Sequence, residues 1–152
     1  MMQFTMSGTM LRFDETTLRF SFSRDGATWS GCDGIEPQLT REDRSFSFAG
    51  AATVTHERIE TGTGVGVRSV FAGFAGADYA FETYIWIERS SGDVLCEWVP
   101  LRECGAEPRI DRVLWPAPLS FDRADAHDVT LITHEQGVMI CLLYTSPSPR
   151  DA

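Results

Sequence analysis

The 152-residue chain carries 13 basic residues, all of them Arg, against 22 acidic ones, for a formal charge of -9. That balance excludes nucleic acid as an expected partner, because tracking phosphates needs clustered cationic groups that release counterions. With 43% hydrophobic residues, ten Phe and four Trp, the chain is set up for a packed core, and it contains no apolar run long enough to span a membrane.

Met1 to Met10 has neither a basic leader region nor a long apolar stretch, so the protein is read as cytoplasmic. From Met10 onward, short segments rich in Phe, Val, Ile, Thr and Trp are punctuated by Gly, Asp and Ser, which is the pattern of an all-β domain. Leu18, Phe20 and Phe22 alternate with Arg19, Ser21 and Ser23, which predicts a half-buried strand closed by Arg24-Asp25-Gly26. Trp29 follows in a Gly-rich loop. Ser45 to Phe48 repeats the alternation, and Ala52 to Ile59 forms a strand with Val54 facing inward and His56 among polar neighbours, without an evident partner.

Gly62, Gly64 and Gly66 are spaced as G-x-G-x-G, without the helix or Lys-Ser/Thr of a phosphate loop, so they are read as a turn or bulge entering the strand Val65 to Phe74. Asp78 to Glu88 has apolar groups on both parities and is expected to be central, with Trp86 in the core. Ser90-Ser91-Gly92-Asp93 turns it into the antiparallel strand Val94 to Val99, which carries Trp98 and is expected to end at Pro100.

Arg109 to Trp115 forms a further strand, and Pro116 and Pro118 take the chain out of the ladder because neither can donate a hydrogen bond. Asp128 to Thr133 and Gly137 to Ile140 add two short strands. Roughly ten strands joined by turns suit an antiparallel two-sheet sandwich. One domain is expected over 1-140.

The tail is different in kind. Cys141 to Asp151 back-translates codon for codon into a transposon-based sequencing adapter, so 141-152 is expected to be an artefactual extension without a native role. Cys32, Cys96 and Cys104 then remain, an odd and irregularly spaced set that does not make a disulfide framework or a zinc site.

Glycosidic hydrolysis needs two carboxyl groups held across the scissile bond, but Glu82, Glu88, Glu97, Glu103, Glu107 and Glu135 read as solvated positions on strands and turns. Asp122, Asp125 and Asp128 lack the spacing of a calcium loop, and His134-Glu135 lacks the second His of a zinc helix, so no metal or cofactor is expected. His127, His134 and Glu135 are an alternative acid-base set, of the kind that sandwich-fold sugar mutarotases use on a hexose. Trp115, beside two prolines, and Trp29 are the indoles placed to stack on a sugar ring.

Four pieces carry a family resemblance: Gly66-x-Arg68-x-x-Phe71, Ile85-Trp86-Ile87-Glu88 with Glu97-Trp98, Val113-Leu114-Trp115-Pro116-x-Pro118, and His134-Glu135-Gln136-Gly137-Val138-Met139-Ile140. From Gly64 to Ile140 the chain resembles the amino-terminal β-sandwich, of the supersandwich or galactose-mutarotase-like kind, that precedes the catalytic barrel of α-galactosidase-like and endo-α-N-acetylgalactosaminidase-like glycoside hydrolases. Thr133-His134-Glu135 stands where the family pattern has Pro-Met before Gln-Gly.

The resemblance implies a non-catalytic front domain that docks on a C-terminal catalytic domain missing from this chain and shapes a carbohydrate cleft. Trp115, His134, Glu135 and Gln136 would lie near the domain junction, with Trp29 as a further substrate contact. An independent carbohydrate-binding module, or a small mutarotase-like epimerase, is the competing expectation.

Overall fold

The computed structural model describes residues 1–31, 34–75, 77–102, 110–116, 129–132 and 138–141. The chain forms two compact units, Met1–Leu119 and Ser120–Ala152. The boundary expected after Ile140 falls inside the second unit, between two residues of its last strand.

The first unit is all-β, with three antiparallel sheets where two were expected. Strands β1 (Met2–Met6), β2 (Thr9–Phe13), β3 (Phe20–Arg24) and β4 (Ala27–Ser30) form one meander. Strands β5 (Gln38–Arg41) and β6 (Arg44–Ser47) form a hairpin, followed by a single 3-10 turn over Phe48–Gly50. A second meander runs through β7 (Thr53–Glu60), β8 (Gly64–Phe74), β9 (Ala77–Glu88) and β10 (Val94–Arg102), in spatial order β10-β9-β8-β7. Strand β11 (Arg112–Leu114) pairs with β5 and makes the hairpin a three-stranded sheet. In the second unit, β12 (Val129–Ile132) and β13 (Val138–Cys141) pair with each other.

Local chemistry explains both the hits and the misses. The turn between β3 and β4 is Asp25-Gly26, both at positive φ (51° and 86°), the geometry that matches the twist of a two-residue hairpin. That hairpin places Trp29 on strand β4, not in a loop. Leu18, expected in the strand, instead sits at φ 58° just before it while remaining 3% exposed, so burial of its side chain outweighs the backbone preference. Strands β1 and β2 lie in a region where no strand was expected.

Pro100 does not end β10. The strand continues to Arg102 through a register shift between Pro100 and Arg102. This is tolerated because β10 is an edge strand, where the missing N–H costs no ladder bond on the open side.

The core forms where the three sheets meet. Phe4, Leu11, Phe13 and Phe20 come from the first meander, Leu39 and Phe46 from the hairpin, and Val65, Val67, Phe71, Tyr79, Phe81, Ile85 and Ile87 from the second meander. Phe48, fully buried at the 3-10 turn, has ring centroids 4.6 Å from Phe81 and 5.1 Å from Phe71. Each such ring contributes on the order of 1.5–3 kcal/mol of burial, which makes this aromatic centre the main support of the unit. No α-helix occurs among the described residues.

Candidate functional site

Alternation from Val65 to Phe71 on β8 and from Ala77 to Ile87 on β9 sends odd-numbered side chains to the core and even-numbered ones to the opposite face of the second meander, and the register shift between Ala72 and Phe74 turns Phe74 back into the core. Cross-strand register then builds a row on that outer face. Arg68 pairs with Glu57 on β7 and with Tyr84 on β9, and Tyr84 pairs with Glu97 on β10. Next to this row, Trp86 faces Gly66 on one side and Leu95 on the other.

The centre of the face is an ionic knot. One Arg68 nitrogen donates to Glu57 Oε1 at 2.6 Å, and another donates to Glu82 Oε1. The Tyr84 hydroxyl donates to the other oxygen of Glu82. Glu82 is 7% exposed and is the only buried charged residue among the described ones, contrary to its expected place on a solvated surface. The Arg68 hydrogen bond, with help from Tyr84, holds its carboxyl below the ordinary 4.5. The same bonds raise the Tyr84 and Arg68 values. Glu82 is therefore an ionised, fully engaged carboxylate, suited to fixing strands and unsuited to giving up a proton as a glycosidase acid.

Trp86 departs from its expected place in the core. It lies half-buried on the outer face, and its Nε1 donates to Glu97 Oε1 at 3.3 Å. A Cβ built on Gly64 would run into the benzo edge of the indole, and one on Gly66 into Trp86 Cα and Cβ. The two glycines thus clear a bed for the ring on β8, a close-approach role added to the expected turn at the strand's entry, which Thr61 N–H closes onto the Gly64 carbonyl.

The remaining sequence candidates are spread out. Trp29 is half-buried and stacks on Phe22 at 5.0 Å. Trp115 is half-buried, stacks on Phe48 at 5.7 Å, and has its Nε1 buried without a hydrogen-bond partner. The structure brings neither indole to the Trp86 face. His127, His134, Glu135 and Gln136 lie outside the described residues, as do Asp122, Asp125, Asp128, Cys32 and Cys104. Cys96 is a free thiol that burial pushes up to about 12, so it is not a poised thiolate. His56, expected to lack a partner, has Nδ1 2.8 Å from Ser69 Oγ and meets the Phe13 ring edge-on at 5.3 Å. No group of three metal-binding side chains occurs among the described residues.

A groove of about 310 Å³ is lined by Thr16 to Arg19 with Glu36, Pro37 and Ser47. It includes neither Trp29 nor Trp115.

Sequence reasoning missed the knot because it treated each Glu singly. The parity of Glu82, Tyr84 and Trp86 on one strand, opposite Arg68 and two small glycines, was the available signal.

No family model and no curated sequence matches the chain. Solved structures do. The α-N-acetylgalactosaminidase NagBb from Bifidobacterium bifidum, in complex with Gal-NHAc-DNJ, matches at 99% identity and TM-score 0.82 over 93% of this chain and 22% of that one. Its GalNAc complex matches at 96% identity and TM-score 0.80, with the same two shares. Its ligand-free form matches at 91% identity and TM-score 0.76 over 92% of this chain and 21% of that one. This chain spans about a fifth of the length of the enzyme it matches. Over the matched residues the chain is 99% identical to about a fifth of that α-N-acetylgalactosaminidase, a glycoside hydrolase.

Proposed function

We propose that this segment is a non-catalytic amino-terminal β-sandwich of the supersandwich kind, which docks on the catalytic part of its hydrolase and shapes the carbohydrate cleft. The observation that carries the reading is the state of Glu82. The one buried carboxylate among the described residues is locked as an anion by Arg68 and Tyr84, which supports architecture over acid-base chemistry. Trp115 and the segment His134, Glu135 and Gln136 belong, in this reading, near the junction with the catalytic part, and the sugar handled there is of the N-acetylgalactosamine type.

The test is hydrolysis of an aryl α-N-acetylgalactosaminide by the 152-residue chain, with the full-length hydrolase as positive control. Turnover by the full-length enzyme and none by the chain is expected. Turnover by the chain would replace this reading with a hydrolytic one, and anomer interconversion of the free sugar that disappears in His134→Ala would replace it with the mutarotase-like one.

A second reading, an independent carbohydrate-binding module, is favoured by the half-buried indole of Trp86 lying on the outer sheet face two residues along β9 from Tyr84. Saturable binding of N-acetylgalactosamine by the 152-residue chain, lost in Trp86→Ala, Trp29→Ala or Trp115→Ala, would establish it.

A further inference from the structure

The two edges of the β7–β10 meander are built differently. β7 is a blunted edge: Thr53, Thr55, Glu57, Arg58 and Glu60 are all exposed, and charge on an open edge discourages pairing. β10 is the opposite. Of the five exposed large hydrophobic side chains among the described residues, three lie on it: Leu95 (37%), Val99 (38%) and Leu101 (52%). Leu95 and Val99 flank Glu97 on the outer face, directly beside Trp86, Tyr84 and Glu82 of β9. An apolar strip on an unpaired edge is a feature that folded proteins cover.

Its neighbours add to this. Trp, Tyr and Arg are the residue types that dominate interface energetics, and Trp86, Tyr84 and Arg68 sit together, each half-buried, next to the strip. The Trp86–Glu97 and Arg68–Glu57–Glu82–Tyr84 bonds fix their rotamers in advance, so little side-chain entropy remains to be lost on docking.

From these observations we infer that Leu95, Val99 and Leu101, with Trp86, form the seam on which the rest of the hydrolase chain packs, while the β7 edge stays in water. The occupant is the part of the same polypeptide outside this segment. Most of the matched enzyme's chain lies there, and it is covalently present at high effective concentration. This inference rests on the docking reading above and adds the surface.

The test uses the full-length hydrolase carrying the equivalent substitutions. Leu95→Lys with Val99→Lys should lower its unfolding temperature by ~3 °C or more, because two charges would enter a covered apolar strip. Thr53→Lys with Thr55→Lys, also exposed and on the same sheet, should leave it unchanged. Equal and small effects of both pairs would overturn the seam, and so would a loss that grows on dilution, which would assign the strip to a second copy. As a second measurement, backbone hydrogen exchange over Val94–Val99 should slow at least tenfold in the hydrolase relative to the 152-residue chain, and equal rates would overturn the seam. Failure of the docking reading looks different: calorimetry of the hydrolase would then show the segment melting in a transition of its own.

Discussion

Among the described residues, Arg68 on β8 and Glu82 on β9 form the one ion pair in the β7–β10 meander with a buried member, Glu82. The pair ties the middle strands together on the face opposite the aromatic core. Glu82→Ala leaves the Tyr84 hydroxyl without its acceptor and halves the partners of Arg68, so a loss of about 1–3 kcal/mol is expected at neutral pH in urea unfolding. The folded carboxyl lies below its ordinary value of 4.5. Its contribution is therefore complete above that value and fades as the pH falls below it. The stability gap between the parent chain and Glu82→Ala should accordingly narrow as the pH falls below 4.5.

His56 works in a higher window. Burial lowers its value from 6.5, so the folded ring resists a proton that the unfolded chain accepts. Stability should decline as the pH drops below about 6.5, until the folded ring itself protonates. His56→Gln should flatten that part of a pH–stability profile measured by chemical denaturation.

Thr9 joins the first meander to the β9–β10 turn. Its buried hydroxyl donates to the Gly92 carbonyl at 2.6 Å, while Ser7 Oγ donates to Arg89 O at 2.6 Å. Gly92 sits at φ +76°, and a Cβ there would lie 2.8 Å from Ser7 O. Gly92→Ala should cost about 1–3 kcal/mol through this clash and the strained φ. Thr9→Val should cost about 1–2 kcal/mol through the lost bond. Gly62→Ala, which meets no neighbour within 4 Å, should stay within about 0.5 kcal/mol. Thermal unfolding by circular dichroism separates the three.

The tail gives a further expectation. If residues 142–152 belong to the appended extension that their sequence suggests, removing them should shift the melting temperature of the chain by less than ~1 °C. A drop of several degrees would give those residues a structural role.

How much of this was legible in the sequence depended on whether a residue's role is local. Alternation in Leu18 to Phe22 and Tyr79 to Ile87, and turn chemistry at Asp25-Gly26 and Ser90 to Asp93, are local signals, and they led to the all-β reading and to the β9–β10 hairpin. The third sheet was not legible, because β5 is short and gains its stability from pairing with β11 some seventy residues later. Pro100 misled for the same reason: whether a proline ends a strand depends on edge or centre, which is a property of the sheet. Its place in a central hairpin points Trp86 to the core, and only its parity, together with the clearance at Gly64 and Gly66, puts it on the outer face. The ionic knot needed the register of three strands before Glu57, Arg68, Glu82 and Tyr84 could be seen as one group.

Removal of the matching segment from the α-N-acetylgalactosaminidase that this chain resembles tests the proposed structural role most directly. If the segment supports and shapes the catalytic part, the shortened enzyme should lose at least tenfold in kcat/KM on an aryl α-N-acetylgalactosaminide and melt at a lower temperature, or fail to fold. An enzyme that keeps its full kcat/KM and melting temperature without the segment would contradict that role.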